Sequence, residues 1–228
     1  MKLCVFSDIH GNGVAFKAAE KMLLNEAADM NLFLGDLCGY YHDQIEIFDR
    51  LRTFPNLFAV LGNHDQIFLD IKKGNAELAA EYLSKYGRSM ELLLERENCQ
   101  MADWLRALPK MLRIPKLGCL VCHGSPDDPL NGYIYPDTDI AFQKDFSADY
   151  IFMGHTHYLM NRRFASTRLI NPGSLGQPRG GGDSTYATID LKKKEIRFKA
   201  IEYDRNALIK RLDHVKDFTP YLRKVLNG

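Results

Sequence analysis

Five of the seven histidines in this sequence stand in short clusters of residues able to ligate a cation: Asp8-x-His10, Gly35-Asp36, Gly62-Asn63-His64-Asp65, His123-Gly124 and Gly154-His155-x-His157. Imidazole, carboxylate and amide oxygen together suit borderline divalent transition metals (manganese, iron, cobalt, nickel or zinc) better than calcium or magnesium. Asp8 and His10 are two positions apart, as are His155 and His157. In extended backbone the side chains of i and i+2 project to one side, so each pair is expected to supply two ligands to one small volume. Two metals about 3.5–4 Å apart clamp an in-line displacement at phosphorus, and a carboxylate is the natural bridge between them. Asp36 is the bridging candidate. Two divalent ions set against Asp8, Asp36 and a hydroxide leave about one positive charge, a local attraction for a phosphate oxyanion.

Positioning these clusters falls to the segments around them. Residues 2–7 form an apolar run that stops at Asp8, and over residues 14–30 Phe16, Ala19, Met22 and Leu23 fall on one helical stripe, predicting strand, loop and helix. The unit recurs: residues 31–34 lead into Gly35-Asp36 with a helix predicted over 45–51, and residues 56–61 lead into the Asn63-His64 cluster. Residues 66–108 read as helical throughout, and are expected to form a cap inserted within one domain spanning 1–228. Short strands return at 111–114, 119–122 and 150–153, the last two ending at His123 and at Gly154-His155. Segments 161–164, 168–170, 186–191 and 195–202 alternate like half-buried antiparallel strands, and a closing helix is predicted over 206–226. This order implies an α/β fold of two stacked sheets with helices outside. In open α/β sheets ligands sit at the carboxyl ends of strands, where every cluster falls.

Composition narrows the class. The 228 residues are 46% hydrophobic and 26% charged, as in an ordinary globular protein. Thirty basic residues against 29 acidic leave a net charge of +1, no broad field for holding a nucleic-acid backbone, so stable nucleic-acid binding is not expected and a nuclease is a weak reading. Five scattered cysteines and a start that runs directly into a strand point to a reducing, cytoplasmic compartment. No apolar run approaches the roughly 18 residues needed to span a membrane.

Any one cluster alone is weak, because Asp-x-His after a strand is commonly a helix cap beside a surface histidine. The five in series resemble the calcineurin-like metallophosphoesterases, and Asn171-Pro172-Gly173-Ser174 after the last histidine pair is similar to the small prokaryotic phosphodiesterase branch. The resemblance covers about residues 1–190. It implies a four-layer αββα sandwich of two mixed sheets flanked by helices. It also implies Asp8, His10 and His157 on a first metal, Asn63, His123 and His155 on a second, and Asp36 shared. His64 resembles the family's non-ligand histidine, placed to protonate the leaving oxygen or stabilise charge on phosphate. Relatives that dephosphorylate protein serine and threonine, or cleave dinucleoside tetraphosphates symmetrically, carry an arginine shortly after the bridging aspartate. Leu37-Cys38-Gly39-Tyr40-Tyr41 stands here instead.

Other residues near the clusters have simpler readings. Cys122 precedes His123 on a strand and so faces the core, and Cys38 is given no role. Asn171 to Ser174 is turn chemistry or a substrate contact. Arg179, before three glycines, is able to hold a phosphate bidentately, against a plain solvated arginine. His42 is read as a surface residue, His214 as structural or solvent-facing, and Trp104 as the anchor of the inserted helices. The expectation is a phosphoesterase, phosphodiester favoured, in which a hydroxide bridging two divalent metals, manganese favoured, attacks a small phosphorylated or nucleotide substrate. The alternatives are a dinucleoside polyphosphate or nucleotide hydrolase and a non-catalytic metal-bound scaffold; oligomeric state is left open.

Overall fold

A computed structural model describes residues 1–97, 99–142 and 146–227. Within it run ten strands: β1 (Lys2–Phe6), β2 (Met30–Phe33), β3 (Leu57–Ala59), β4 (Met111–Ile114), β5 (Cys119–Cys122), β6 (Tyr150–Phe152), β7 (Leu159–Phe164), β8 (Thr167–Pro172), β9 (Ser184–Asp190) and β10 (Glu195–Ile201). They form two mixed five-stranded sheets, ordered β10-β9-β1-β2-β3 and β4-β5-β6-β8-β7. In the first, β1, β2 and β3 run parallel; in the second, β5, β6 and β8 do. Eight α-helices accompany them: α1 (Gly13–Asn25), α2 (Gln44–Leu51), α3 (Asn63–Lys72), α4 (Ala76–Tyr86), α5 (Ser89–Arg96), α6 (Gln100–Ala107), α7 (Arg205–His214) and α8 (Pro220–Asn227). None is long and apolar enough to cross a membrane.

The two-residue period of the strands sorts side chains between layers. Leu3 and Val5 of β1 join Leu32, Val121, Phe152 and Ile170 in the core between the sheets, while Cys4 and Phe6 face α1 and α2. Fully burying each such Leu, Val, Ile or Phe stabilises the fold by roughly 1.5–3 kcal/mol. On β5 the same alternation sends Cys122 to the outer face of the second sheet, into the core as its position predicts. That face is covered by Ile134, Ile140, Phe142 and Phe146 from the chain between β5 and β6, which holds no helix among its described residues. Trp104 of α6 packs against Phe48 of α2 at 5.7 Å between ring centroids, an anchor for the inserted helices.

Several boundaries differ from the sequence reading: the helix expected over 14–30 ends at Asn25, and two more have visible causes. The helical run starts at Asn63, three residues before 66, because the Asp65 carboxylate at the third helical position accepts the Gly62 N–H at 3.0 Å and caps the first turn. The closing helix is two helices. Lys216 has φ +54, the Asp217 carboxylate accepts from His42 Nε2 (2.8 Å) and the Arg88 N–H (2.9 Å), and Pro220 restarts the helix where a missing N–H costs nothing. His42 is therefore not the surface residue expected, its side chain being only 12% exposed in this pair. His214 is exposed as read.

Candidate metal centre

The loops leaving β1, β2 and β3 of one sheet and β5 and β6 of the other meet at a single end of the sandwich. Asp8, His10, Asp36, His155 and His157 all have positive φ, between +51 and +68. Left-handed backbone at a non-glycine residue costs on the order of 1–3 kcal/mol and persists only where the surroundings enforce it. This corrects the expectation that the i and i+2 pairs converge through extended backbone; sharp left-handed turns aim them instead. The enforcing contacts are visible. The Asp36 carbonyl accepts from the N–H groups of Ile9 (2.9 Å) and His10 (3.0 Å), and the Ser174 hydroxyl donates to the Asp8 carbonyl at 2.7 Å. Asn171 Nδ2 donates to the Gly154 carbonyl (2.6 Å), and the Asn171 Oδ1 accepts from Gly173. The 171–174 segment, the end of β8 and the two residues after it rather than a turn, thus clamps the first and last clusters together.

Three histidines are locked in one tautomer. Nδ1 of His10, His123 and His157 lies 3.0, 2.8 and 2.6 Å from the carbonyl oxygens of Cys38, Leu34 and Gln177. A carbonyl only accepts, so each Nδ1 carries the proton and, in the neutral ring, each Nε2 is a bare lone pair aimed inward. His10 Nε2 and His157 Nε2 stand 3.0 Å apart. The Asp8 Oδ1 lies 3.3 Å from His157 Nε2 and 3.7 Å from His10 Nε2, while the Asp36 Oδ2 lies 3.3 Å from His123 and 3.6 Å from His10. Three compact groups result: Asp8 with His10 and His157, Asp8 with Asp36 and His123, and a third that sets His10 and Asp36 with His64. Asn63 joins the second through its Oδ1, 2.8 Å from His123 Nε2. His155 stands one step off, its ring 5.0 Å from that of His123 and its backbone N–H on the Asp8 Oδ2 at 3.2 Å.

Burial and charge set the protonation states. Desolvation disfavours the His123 imidazolium, but the neighbouring Asp36 carboxylate overrides it and pushes the pKa up to about 9. Burial pushes His155 down to about 4, helped by the His123 charge. His64 falls to about 3 through burial, which outweighs the pull of Asp36. Asp36 itself is held well below the usual carboxylate range, its burial outweighed by His123 and His64.

The donor set fits divalent metals. Asp8 Oδ1 and His155 Nε2 are buried with no hydrogen-bond partner. Buried polar groups are normally paired, so such orphans call for an unseen neighbour. Two nitrogens each about 2.0–2.1 Å from one ion stand about 3 Å apart, the separation His10 and His157 already have. Asp36 faces both of the first two groups, as a bridge must.

The model of the calcineurin-like phosphoesterase superfamily domain matches residues 1–194. This chain belongs to that family. An uncharacterised protein of Methanocaldococcus jannaschii is 30% identical over 226 residues, spanning 89% of this chain and 88% of its own. A metallophosphoesterase from Sphaerobacter thermophilus shares the fold with a TM-score of 0.78 at 23% identity, covering 100% of this chain and 99% of its own. A hypothetical protein from Pyrococcus horikoshii does so with a TM-score of 0.83 at 22% identity, covering 99% and 97%.

Over the ligand groups of this calcineurin-like phosphoesterase opens a cleft of about 450 Å³. Helix α4 supplies Lys85 and Tyr86, and the chain after β5 supplies Tyr133 and Tyr135. His64 has both ring nitrogens beside tyrosine hydroxyls, Nε2 3.2 Å from Tyr40 and Nδ1 3.3 Å from Tyr82. Arg179 lines the cleft, half-buried, with its guanidinium donating to the Tyr221 hydroxyl. Sequence reasoning missed Asp65, whose carboxylate accepts from the N–H groups of Asp36 (2.9 Å) and Cys38 (2.8 Å) as well as Gly62. Its place beside His64 was the available signal. The tyrosines gave none, being scattered from Tyr40 to Tyr221.

Proposed function

We propose that this protein is a two-metal phosphoesterase in which Asp8, His10 and His157 hold one divalent ion, Asn63, His123 and His155 the other, and Asp36 both. What carries the reading is the convergence of three tautomer-locked imidazole nitrogens on two buried carboxylates, an arrangement of acceptors that wants cations at its centre. Two ions so held supply a water of lowered pKa as nucleophile and neutralise charge on the phosphoryl oxygens. Manganese is the first choice on the oxygen-and-nitrogen donor set.

The remaining residues position and select. Lys85 and Arg179 at the rim draw a phosphorylated substrate into the cleft. His64, held neutral by burial, offers an N–H to the leaving oxygen by exchanging one of its tyrosine contacts. Residues 66–108 act as a cap within one catalytic domain, and the contacts of Tyr82 and Tyr86 with His64 support this. A phosphodiester is favoured because Asn171-Pro172-Gly173-Ser174 resembles the small prokaryotic phosphodiesterase branch.

One observation favours a nucleotide as the second reading. Tyr133, 56% exposed, stacks on Tyr135 (5.7 Å, 10° between planes) and lies 4.1 Å from the His155 ring, a platform for a planar base at the edge of the site.

The test is hydrolysis of a chromogenic phosphodiester, its monoester and a nucleotide panel by metal-stripped protein, with and without manganese, beside Asp36→Asn. Manganese-dependent turnover that falls at least about a thousandfold in the variant is the expected result. Two tightly bound metals with no turnover on any substrate would instead identify a scaffold.

A further inference from the structure

A second cavity, of about 460 Å³, shares Arg179 and Tyr221 with the metal cleft as a common wall. The glycine-rich stretch 176–182, Tyr41, the start of α7 and the exposed face of α8 enclose the rest of it. Its charged lining is wholly basic: Arg179, Arg205 and Lys224, with no carboxylate. None of the three has a carboxylate partner among the described residues; Arg205 and Lys224 are exposed, and half-buried Arg179 differs in this from half-buried Lys2 and Lys72, which are paired with glutamates. Three like charges around one cavity repel unless an anion joins them.

A second, independent observation concerns Gln177, which lines the same cavity and is only 1% exposed. The Tyr221 hydroxyl receives the Arg179 N–H, so its own proton goes to the Gln177 Oε1 at 3.1 Å. That fixes which end of the amide is oxygen and leaves Nε2 as the donor end. Nε2 is buried and its neighbour is the equally buried Tyr41 hydroxyl; beyond this mutual approach neither reaches a hydrogen-bond partner among the described residues. Where these two approach one another, an amide proton and the hydroxyl proton are still left without an acceptor. A buried wall of unmet donors behind three unpaired cations matches the many acceptor oxygens of a phosphate group.

We propose that this cavity is a second phosphate-binding site that needs no metal. Its volume falls within the range of small-molecule pockets, so it takes either free phosphate or the phosphate group of a small organic molecule. The site stands on these residues alone and is independent of the reaction assigned to the metal centre.

Isothermal titration of metal-stripped, full-length protein with inorganic phosphate, tripolyphosphate and adenosine monophosphate tests it. Saturable binding is expected, weakened at least tenfold by Arg205→Gln with Lys224→Gln, two exposed positions that line this cavity and not the cleft. The same charge change at exposed Lys192 and Lys193, in the turn between β9 and β10, should leave binding unaltered, which separates a local site from net charge. Tighter binding of the nucleotide than of inorganic phosphate marks an organic phosphate as the occupant; equal binding marks the phosphate group alone. Absence of saturable binding with all three probes, or binding that survives the double substitution, overturns the proposal.

Discussion

His123 feels opposite influences from burial and from Asp36, and their balance makes metal uptake a proton-coupled event. With its pKa near 9 in the metal-free protein, it carries a proton at neutral pH that a cation must displace. Apparent metal affinity should therefore rise with pH, by up to about tenfold per unit until pH 9. Titration in buffers of different ionisation enthalpy should report about one proton released per metal pair; no release would place His123 outside the ligand set. The sign for stability is the reverse: a raised pKa means the His123–Asp36 ion pair supports the metal-free fold below the unfolded value of about 6.5, and that support is lost as pH rises through 9. Asp65 makes a second residue-scale prediction. Its carboxylate orders three backbone N–H groups around Asp36, and Asp65→Ala should weaken metal binding about 10–100-fold without removing a ligand, as metal content after dialysis will show. His64→Ala, by contrast, should keep both metals and lower kcat on the order of 10²–10⁴-fold. Full turnover in that variant would remove His64 from the chemistry.

At the scale of elements, the strands and the residues ending them were legible because short runs leading into an Asp, Asn or His cluster repeat five times. The geometry of the loops was not. Left-handed backbone at Asp8, His10, Asp36, His155 and His157 is imposed by partners far away in sequence, such as Ser174 on Asp8; Asp and His tolerate it better than most residues, but too weakly to announce it. The break between α7 and α8 was hidden for a similar reason: its cause is Asp217 engaging His42 and Arg88, 175 and 129 positions away. One element end carries its own test. Glu26, at the end of α1, binds Lys2 of β1, Tyr186 of β9 and Lys199 of β10, and although burial opposes its charge these partners lower its pKa to about 2. A depressed carboxylate contributes above its unfolded pKa and loses that contribution as pH falls through the folded one. The cluster should thus stabilise the fold by roughly 1–3 kcal/mol above pH 4.5, the benefit vanishing toward pH 2. Glu26→Gln should flatten that part of the stability curve in urea titrations; an unchanged acid limb would mean that the cluster is inert.

Across the whole molecule, the sandwich itself followed from element order, whereas the covering of the second sheet by irregular chain did not, since Ile134, Phe142 and Phe146 show no periodicity that would place them. The sheets share one core and their loops one cluster of ligand-type residues, so metals bound there should stabilise the assembled fold by mass action. At a hundredfold excess over Kd each ion contributes about 2.7 kcal/mol. Chelation should accordingly lower Tm by about 5–15 °C in a thermal scan, and restored metal should recover it. A Tm indifferent to chelator would argue against ions held between the sheets.

The separation of the ligands along the chain has a consequence for synthesis. Asp8 and His10 emerge first and His157 last, so on the proposed assignment a partial chain holding only the first sheet's β1–β3 unit lacks ligands for both ions, though it holds His10, Asp36 and His64. On that assignment full cation capture comes after β6 has joined β5, making the ions late staples rather than nuclei of folding. A chain starved of metal during translation should still reach its native topology, and be rescued afterwards by simple addition of the ion.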